Sequence, residues 1–204
     1  DIGTTTVTVH LVDLVTGDVR AQAADYNGQV ARGEDVISRI IYASKVKGPD
    51  PDANRREMQQ LVVDTINELI GQVASAAEIE AVNIDKAVVA GNSTMIHLLL
   101  GLNANSIRLD PFITAVNHAP LLTAAELGLD INPAGTIDCL PGVASYVGSG
   151  ITAGVLSSGM DDTNRITLFM DVGTNGEIVL GSSEWLVTCA AIGLSCAQAW
   201  QRHA

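Results

Sequence analysis

Basic residues are scarce in this chain: 11 Lys and Arg stand against 23 Asp and Glu, a formal net charge of −12. Nucleic-acid binding requires clustered Lys and Arg against the phosphates, so that class is set aside. The surplus acid serves solubility, with a basic docking partner as the sharper reading. Cysteines number three, Cys139, Cys189 and Cys196. They form neither an even disulfide set nor a CxxC knuckle, and they read as structural thiols in a reducing cytosol. No apolar run reaches the roughly 18 residues of a membrane span, and no signal peptide, low-complexity tract or solenoid-length repeat is recognisable. A cytoplasmic protein without nucleic-acid or membrane partners is expected.

What the 204 residues do contain, at 47% hydrophobic, is the pattern of a layered α/β domain. Alternation of Val7, Val9 and Leu11 predicts a strand over Thr4–Leu14. The turn Val15-Thr16-Gly17-Asp18 leads it into a second strand near Val19–Tyr26. Val36, Ile37, Ile40 and Ile41 recur at helical spacing until Gly48-Pro49. A long amphipathic helix follows, with Leu61, Val62, Ile66, Leu69, Ile70 and Val73 as its buried stripe. KAVVAGNSTMIHLLLGL then reads as an apolar strand at Ala87–Ala90, a turn at Gly91-Asn92-Ser93 and a helix from Thr94. Asn92 is poised either to cap that helix or to reach a cleft. The stretch from Asn103 to Pro141 is irregular, with a short helix near Ala124–Gly128 capped by Thr123. VASYVGSGITAGVLSSG predicts strand, glycine turn and a helix of small residues, Gly148–Gly159.

One motif occurs twice. DIGTTTVTVHLV opens at Asp1, and DVGTNGEIVLG runs from Asp171 to Gly181. In each, an acid at a strand end precedes Gly-Thr and a second strand. Glycine lets the backbone approach a phosphate, the following N–H groups and hydroxyls donate to it, and the carboxylate acts through Mg²⁺ or water. A single Asp-x-Gly-Thr is common in turns; two, separated by an α/β layer, form a specific signal.

The paired hairpins resemble the phosphate-1 and phosphate-2 loops of the acetate and sugar kinase, Hsp70 and actin superfamily. That resemblance implies an actin-like, ribonuclease H-like ATPase fold. Asp1 is expected to hold Mg²⁺ through water, and Gly3, Thr4 and Thr5 to line the β- and γ-phosphates of ATP. Asp171 is expected to orient the metal or the attacking water, with Gly173, Thr174 and Asn175 around the γ-phosphate. The small-residue helix resembles an interdomain connecting helix, where Gly148, Ala153 and Gly154 allow close helix crossing. A first lobe over 1–165 and the start of a second over 166–204 are implied.

More specifically, DIGTTTV, GEDVISRI preceded by Asn27 and Gln29, GNSTMIHLLLGL, Asp110-Pro111-Phe112, YVGSGITAG and DVGTNGEIVLG together resemble the C-terminal ATPase domain of the reductive activators of corrinoid-dependent enzymes. The resemblance covers Asp1 to about Cys189. It implies ATP hydrolysis driving reduction of a Co(II) corrinoid protein to Co(I), with the electron supplied by a [2Fe–2S] domain ahead of the ATPase part. A corrinoid protein of a methyl-transfer system is the expected partner, and a homodimer is left open. The chain departs from this pattern in three ways. It carries no ferredoxin-like cysteine set, its last residues AAIGLSCAQAWQRHA diverge, and Gly150 stands where an Asp is expected. Asp1 is itself expected to follow a buried strand, so the chain is read as a fragment that binds ATP weakly by itself, with an exposed apolar edge.

Three other readings stay open at this level. Gly148-x-Gly150-x-x-Ala153 with an acid about 20 residues on fits a dinucleotide fingerprint, hence an NAD(P) oxidoreductase. A non-catalytic actin-like docking module for a corrinoid protein fits Gly150. An activator of a radical dehydratase or aryl-CoA reductase shares the hairpins but needs cluster ligands. Among single residues, His97 reads as a satisfied, partly buried histidine, His10 as a polar-face residue, and Arg39 as a local i, i+4 partner of Asp35.

Overall fold

The longest element, α2 (Ala53–Ala76), organises everything packed around it. Its stripe of Val62, Ile66, Leu69, Ile70 and Val73 is buried as the spacing predicts, while Leu61 is half-buried. The computed structural model describes residues 1–46, 48–173 and 176–191. Against α2 lies a hairpin of β1 (Thr6–Val12) and β2 (Val19–Tyr26), antiparallel, with a register shift between Leu11 and Val12. Its turn is tied by Asp13 Oδ1, which accepts from the N–H groups of Val15 and Thr16 at 2.8 and 3.2 Å. The expected first strand began at Thr4. The observed one begins at Thr6, because residues 1–5 form a loop.

The helix α1 (Val36–Ser44) starts at a reciprocal capping box between Asp35 and Ser38. It ends before Gly48-Pro49 because Asn54 Nδ2 takes up the carbonyls of Tyr42 and Lys45, each at 3.1 Å. A second sheet has the order β3-β5-β4: β3 (Lys86–Val89) is parallel to β5 (Thr136–Cys139), and β4 (Leu122–Thr123) is antiparallel to it. β3 is an edge strand and Val88 is exposed, so its apolar run is not covered on both faces. α3 (Ser93–Leu99) follows β3, and α4 (Ala124–Leu127) carries the Thr123–Glu126 capping box.

After β5 the expected strand before the glycine turn is absent. Ala144 and Val147 make one isolated bridge, and the chain passes directly into α5 (Ser149–Ser158). A third sheet, β6-β7-β8 (Thr167–Val172, Gly176–Ser182, Trp185–Ala191), is antiparallel throughout. Its Leu168, Met170, Val172, Leu180, Leu186 and Val187 are exposed. Three apolar clusters result among the described residues, the smallest joining Ile40, Ala104 and Ile107. The largest joins α2, α3, β1, β3 and β5, and a second joins Val147, Ile151, Met160 and Val179 under α5.

Arg39 departs most from its expected role. It makes no local pair with Asp35 but is fully buried, and its guanidinium donates to Gly33 O at 2.9 Å, Gln29 Oε1 at 3.3 Å and Thr4 O. It also lies 3.2 Å from Met95 Sδ on α3. Burial pulls its pKa down to about 10, still well above neutrality. Asn27, buried beside it, donates to Gly3 O at 2.9 Å, and its own N–H donates to Thr5 O at 2.8 Å. Arg39 and Asn27 thereby hold the loop of residues 1–5 from beneath. Arg39→Met strips donors from two buried acceptors, Gln29 Oε1 and Thr4 O, and from the half-buried Gly33 O, the buried ones each costing roughly 1–3 kcal/mol, so a loss of about 3 kcal/mol in urea unfolding is expected.

His97 is buried, as expected of a satisfied histidine. Its Nδ1 lies 2.6 Å from Ser93 O, and its Nε2 accepts from Ala115 N–H at 3.0 Å. That pattern requires the neutral ring, and burial lowers its pKa below the ordinary 6.5. Above pH 6.5 both folded and unfolded imidazoles are neutral. As pH falls through that value, the unfolded chain binds a proton that the folded state resists, and stability declines until the folded pKa is passed. The wild-type protein should therefore lose stability between neutral pH and pH 5 more steeply than His97→Asn, a difference read from paired urea titrations.

Candidate functional site

Both Asp-x-Gly-Thr hairpins face one cleft of about 300 Å³. One wall is the loop Asp1–Thr6, Gly91 and Asn92 form the floor, Gly148, Gly150 and Ile151 enter from the start of α5, and Asp171, Gly173 and Glu177 close the opposite side. Of the predicted site residues, the structure brings together Asp1, Gly3, Thr4, Thr5, Gly148, Asp171 and Gly173. Thr174 and Asn175 lie outside the described residues.

The first wall is shaped by local bonds. Gly3 N–H donates to Thr6 O at 3.0 Å, and a Cβ on Gly3 would meet that oxygen at 2.6 Å, so the tight turn requires glycine. Thr4 is buried, its hydroxyl accepting from Asn92 Nδ2 at 3.1 Å, whereas Thr5 and Thr6 are exposed toward the cleft. Asn92 combines the two roles open to it. Its Oδ1 caps α3 by accepting from Met95 N–H at 3.0 Å, and its Nδ2 reaches the loop.

Gly148 fits against the floor with no room for a side chain. A Cβ there would lie 2.5 Å from Asn92 Cα and 2.6 Å from Gly91 O. Ser149 locks the same junction, its hydroxyl and N–H both donating to Gly91 O, at 3.0 and 2.9 Å. Ala153 and Gly154, the residues expected to permit close helix crossing, lie on α5 (Ser149–Ser158). α5 packs on β6 and β7, and the bare Gly154 accommodates the Phe169 ring of β6, which a Cβ would meet at 2.3 Å. Ala153 is half-buried on the same helix. Asp110-Pro111-Phe112 contributes no lining residue; Phe112 packs its ring 5.7 Å from Tyr146 instead.

Glu177 is a cleft residue that the sequence motif did not single out. It is paired in register with Asp171 across the β6–β7 hairpin, so the two side chains emerge on one face. Burial, reinforced by the Asp171 charge, raises its pKa above the ordinary carboxylate value. The period of two between hairpin arms was the available signal. Gly150 faces the same acids. A Cβ there would meet only Asp171 Oδ2, at 4.0 Å, so the cleft has room for the larger residue expected at that place.

No described lining residue is basic. Three carboxylates, two exposed threonine hydroxyls and glycine backbone make a surface that repels a bare polyphosphate and accepts one carrying a cation. The dinucleotide reading fails on geometry. Its fingerprint follows an isolated bridge rather than a strand, and β6 pairs antiparallel with β7, whereas a dinucleotide fold requires parallel βαβ units. Iron–sulfur ligation does not fit the described residues either. Cys139 is buried, its thiol pushed up to about 11 by burial, Cys189 is exposed, and among the described residues no group of three His, Cys, Asp or Glu is placed to hold a metal ion.

Residues 1–163 match the family model described as the RACo middle region, and residues 165–193 match the C-terminal domain of RACo, the ASKHA domain. A curated protein, the corrinoid activation enzyme RamQ of Eubacterium limosum, is 38% identical over 194 residues, 95% of this chain and 32% of that protein. A solved structure of a reductive activator for corrinoid,iron-sulfur protein superposes with a TM-score of 0.87 at 49% identity, covering 93% of this chain and 29% of the other. The chain thus spans about a third of the length of these relatives. Assignment of the whole stretch to a C-terminal ATPase domain holds only for its last part. The chain belongs to the RACo family, with residues 1–163 in its middle region and residues 165–193 in its C-terminal ASKHA domain.

Proposed function

We propose that this chain is the nucleotide-cleft portion of an ATP-dependent reductive activator of a corrinoid protein. The full-length protein returns Co(II) to Co(I) by one-electron transfer. The observation that carries the reading is the meeting of Asp1 and Asp171, from hairpins 170 residues apart in sequence, on opposite walls of one cleft. The relatives support the corrinoid part, since one is titled a corrinoid activation enzyme and another a reductive activator.

In this reading Gly3, Thr4 and Thr5 lie along the β- and γ-phosphates, and the exposed hydroxyl of Thr5 donates to them. The loop carrying them is the first lobe's contribution, while Asp171 and Gly173 come from the second. Asp1 and Asp171 would be the residues to hold a Mg²⁺ accompanying ATP, which would neutralise phosphate charge and let an acid-lined cleft accept a polyphosphate. Asp171 also orients the water that attacks the γ-phosphate, giving ADP and phosphate. Glu177, its carboxyl held near Asp171 and partly desolvated, keeps that side of the cleft acidic and ordered. The electron would come from an iron–sulfur cluster of the full-length protein, as the resemblance to the corrinoid activators implies. ATP favours the docked, reducible state of the complex and hydrolysis releases it, a linkage between nucleotide state and docking.

The docking-only reading is favoured by one observation, Gly150 beside Asp171 where an acid is expected. Asp171→Asn in the full-length protein separates the two. Reactivation of the Co(II) corrinoid protein, followed by its absorbance, should fall by about 100-fold or more while the urea midpoint stays within error of wild type. Reactivation at the wild-type rate would remove hydrolysis from the mechanism and leave the docking module.

A further inference from the structure

The loop that forms the first wall of the cleft is held by its backbone from two sides. Arg39 and Asn27 take Thr4 O and Gly3 O from beneath, the latter at 2.9 Å, and Ile2 N–H donates to Ala90 O at 2.8 Å beside the floor. What these bonds leave open is the rotation of one hydroxyl. Thr4 is only 6% exposed, yet it lines the cleft. A threonine hydroxyl carries one proton and can also accept, so the direction of that proton decides what this surface offers a ligand.

Asn92 settles the direction through its other bond. Its Oδ1 accepts from Met95 N–H at 3.0 Å, at the start of α3. An amide turned the other way would set its NH₂ against that N–H, donor against donor, so the order of its two ends is fixed. The Nδ2 end then lies 3.1 Å from Thr4 Oγ1, and it can only donate. Thr4 Oγ1 is thereby an acceptor on its Asn92 side, and its own proton turns elsewhere. Among the described residues, no acceptor takes that proton. The Asn92 backbone is confined as well, because Gly148 approaches so closely that a Cβ there would lie 2.5 Å from Asn92 Cα.

We infer that Asn92 is a positioning residue for the ligand of the cleft: by donating to Thr4 Oγ1 it turns the Thr4 hydroxyl proton into the cleft, toward an anionic oxygen of the bound group. The inference rests on the nucleotide reading, in which that oxygen belongs to the β- or γ-phosphate of ATP. A donor already aimed costs no reorientation when the phosphate arrives. Its bond to a charged oxygen is also roughly twice as strong as one between neutral groups. The cleft has three carboxylates and no described basic lining residue, so aimed neutral donors carry much of its attraction for an anion. Asn92 contributes through Thr4, and the bond it uses joins the loop of residues 1–5 to α3.

Asn92→Asp isolates this role. Aspartate caps a helix as well as asparagine does, so α3 keeps its start. The second carboxylate oxygen has no proton to give; it accepts from Thr4 and turns the hydroxyl away from the cleft. In the full-length protein, the Kd for Mg-ATP measured by calorimetry should rise about 10-fold or more, with the urea midpoint within error of wild type. The new charge would itself repel ATP, and a double-mutant cycle separates the two causes. Thr4→Val should raise Kd by a similar factor, and adding Asn92→Asp to it should cost less than about twofold more. Thr4→Ser keeps the hydroxyl and should bind close to wild type. An Asn92→Asp penalty of equal size with and without the Thr4 hydroxyl would overturn the inference and leave the nucleotide reading intact. An unchanged Kd in Asn92→Asp, or a rise that comes only with a fallen urea midpoint, does the same. Absence of saturable Mg-ATP binding by the wild-type full-length protein would instead overturn the nucleotide reading, and this inference with it.

Discussion

A buried guanidinium ties the Asp1–Thr6 wall of the cleft to the body of the protein. Arg39 reaches from α1 to the carbonyls of Gly33 and Thr4 and to the Gln29 amide, with Met95 of α3 against it. Its hydrogen-bond partners are backbone and amide oxygens, and the nearby Asp35 carboxylate offsets part of the cost of burying the charge. Such an arrangement is unfavourable to disturb, because each acceptor it serves would be left buried and unpaired. The loop at residues 1–5 has few apolar anchors beyond Ile2. Its shape therefore rests on polar bonds to Arg39, Asn27 and Asn92, each from a different element.

How much of this was legible in the sequence depended on whether the signal was local. Periodicity predicted α2 and its stripe, β2 to the residue, and the capped α4, since spacing and caps are written within a few positions. The segment at 143–147 misled, because small and β-branched residues read as a strand whereas only one bridge forms. Arg39 misled for the opposite reason: a long cation near an acid four residues away suggests a surface pair, and nothing local announces that loop carbonyls will enclose it. The cleft was legible as two repeated motifs, and Asn92 as one of two alternatives, but Glu177 and the floor at Gly91 were not. Their membership follows from cross-strand register and from the Gly148 approach, both long-range facts.

The family boundaries give the cleft a particular construction. Its Asp1 wall, floor and α5 contribution fall within residues 1–163, matched by the RACo middle region, and Asp171, Gly173 and Glu177 fall within residues 165–193, matched by the ASKHA domain. The site thus belongs to neither unit alone but to their junction. Across that junction the bare Gly154 of α5 receives the Phe169 ring, while within the first region Gly148 is pressed on Asn92. Clefts of this kind set the spacing of their walls by steric contact, and small changes at a glycine propagate directly to the distance between acids.

The route by which Ile2 joins Ala90, and Gly91 joins Ser149, has a kinetic consequence. These bonds close loops of 88 and 58 residues, while α2, the β1–β2 hairpin and the β6–β7 hairpin each form from neighbouring sequence. Local elements order first and loop closures of that span follow later, after their entropy has been offset by packing. The cleft is then the last part of this chain to assemble on folding. It is also the first to be lost when the chain is released from its fold, so an emerging polypeptide has a formed α/β body well before it has a ligand site.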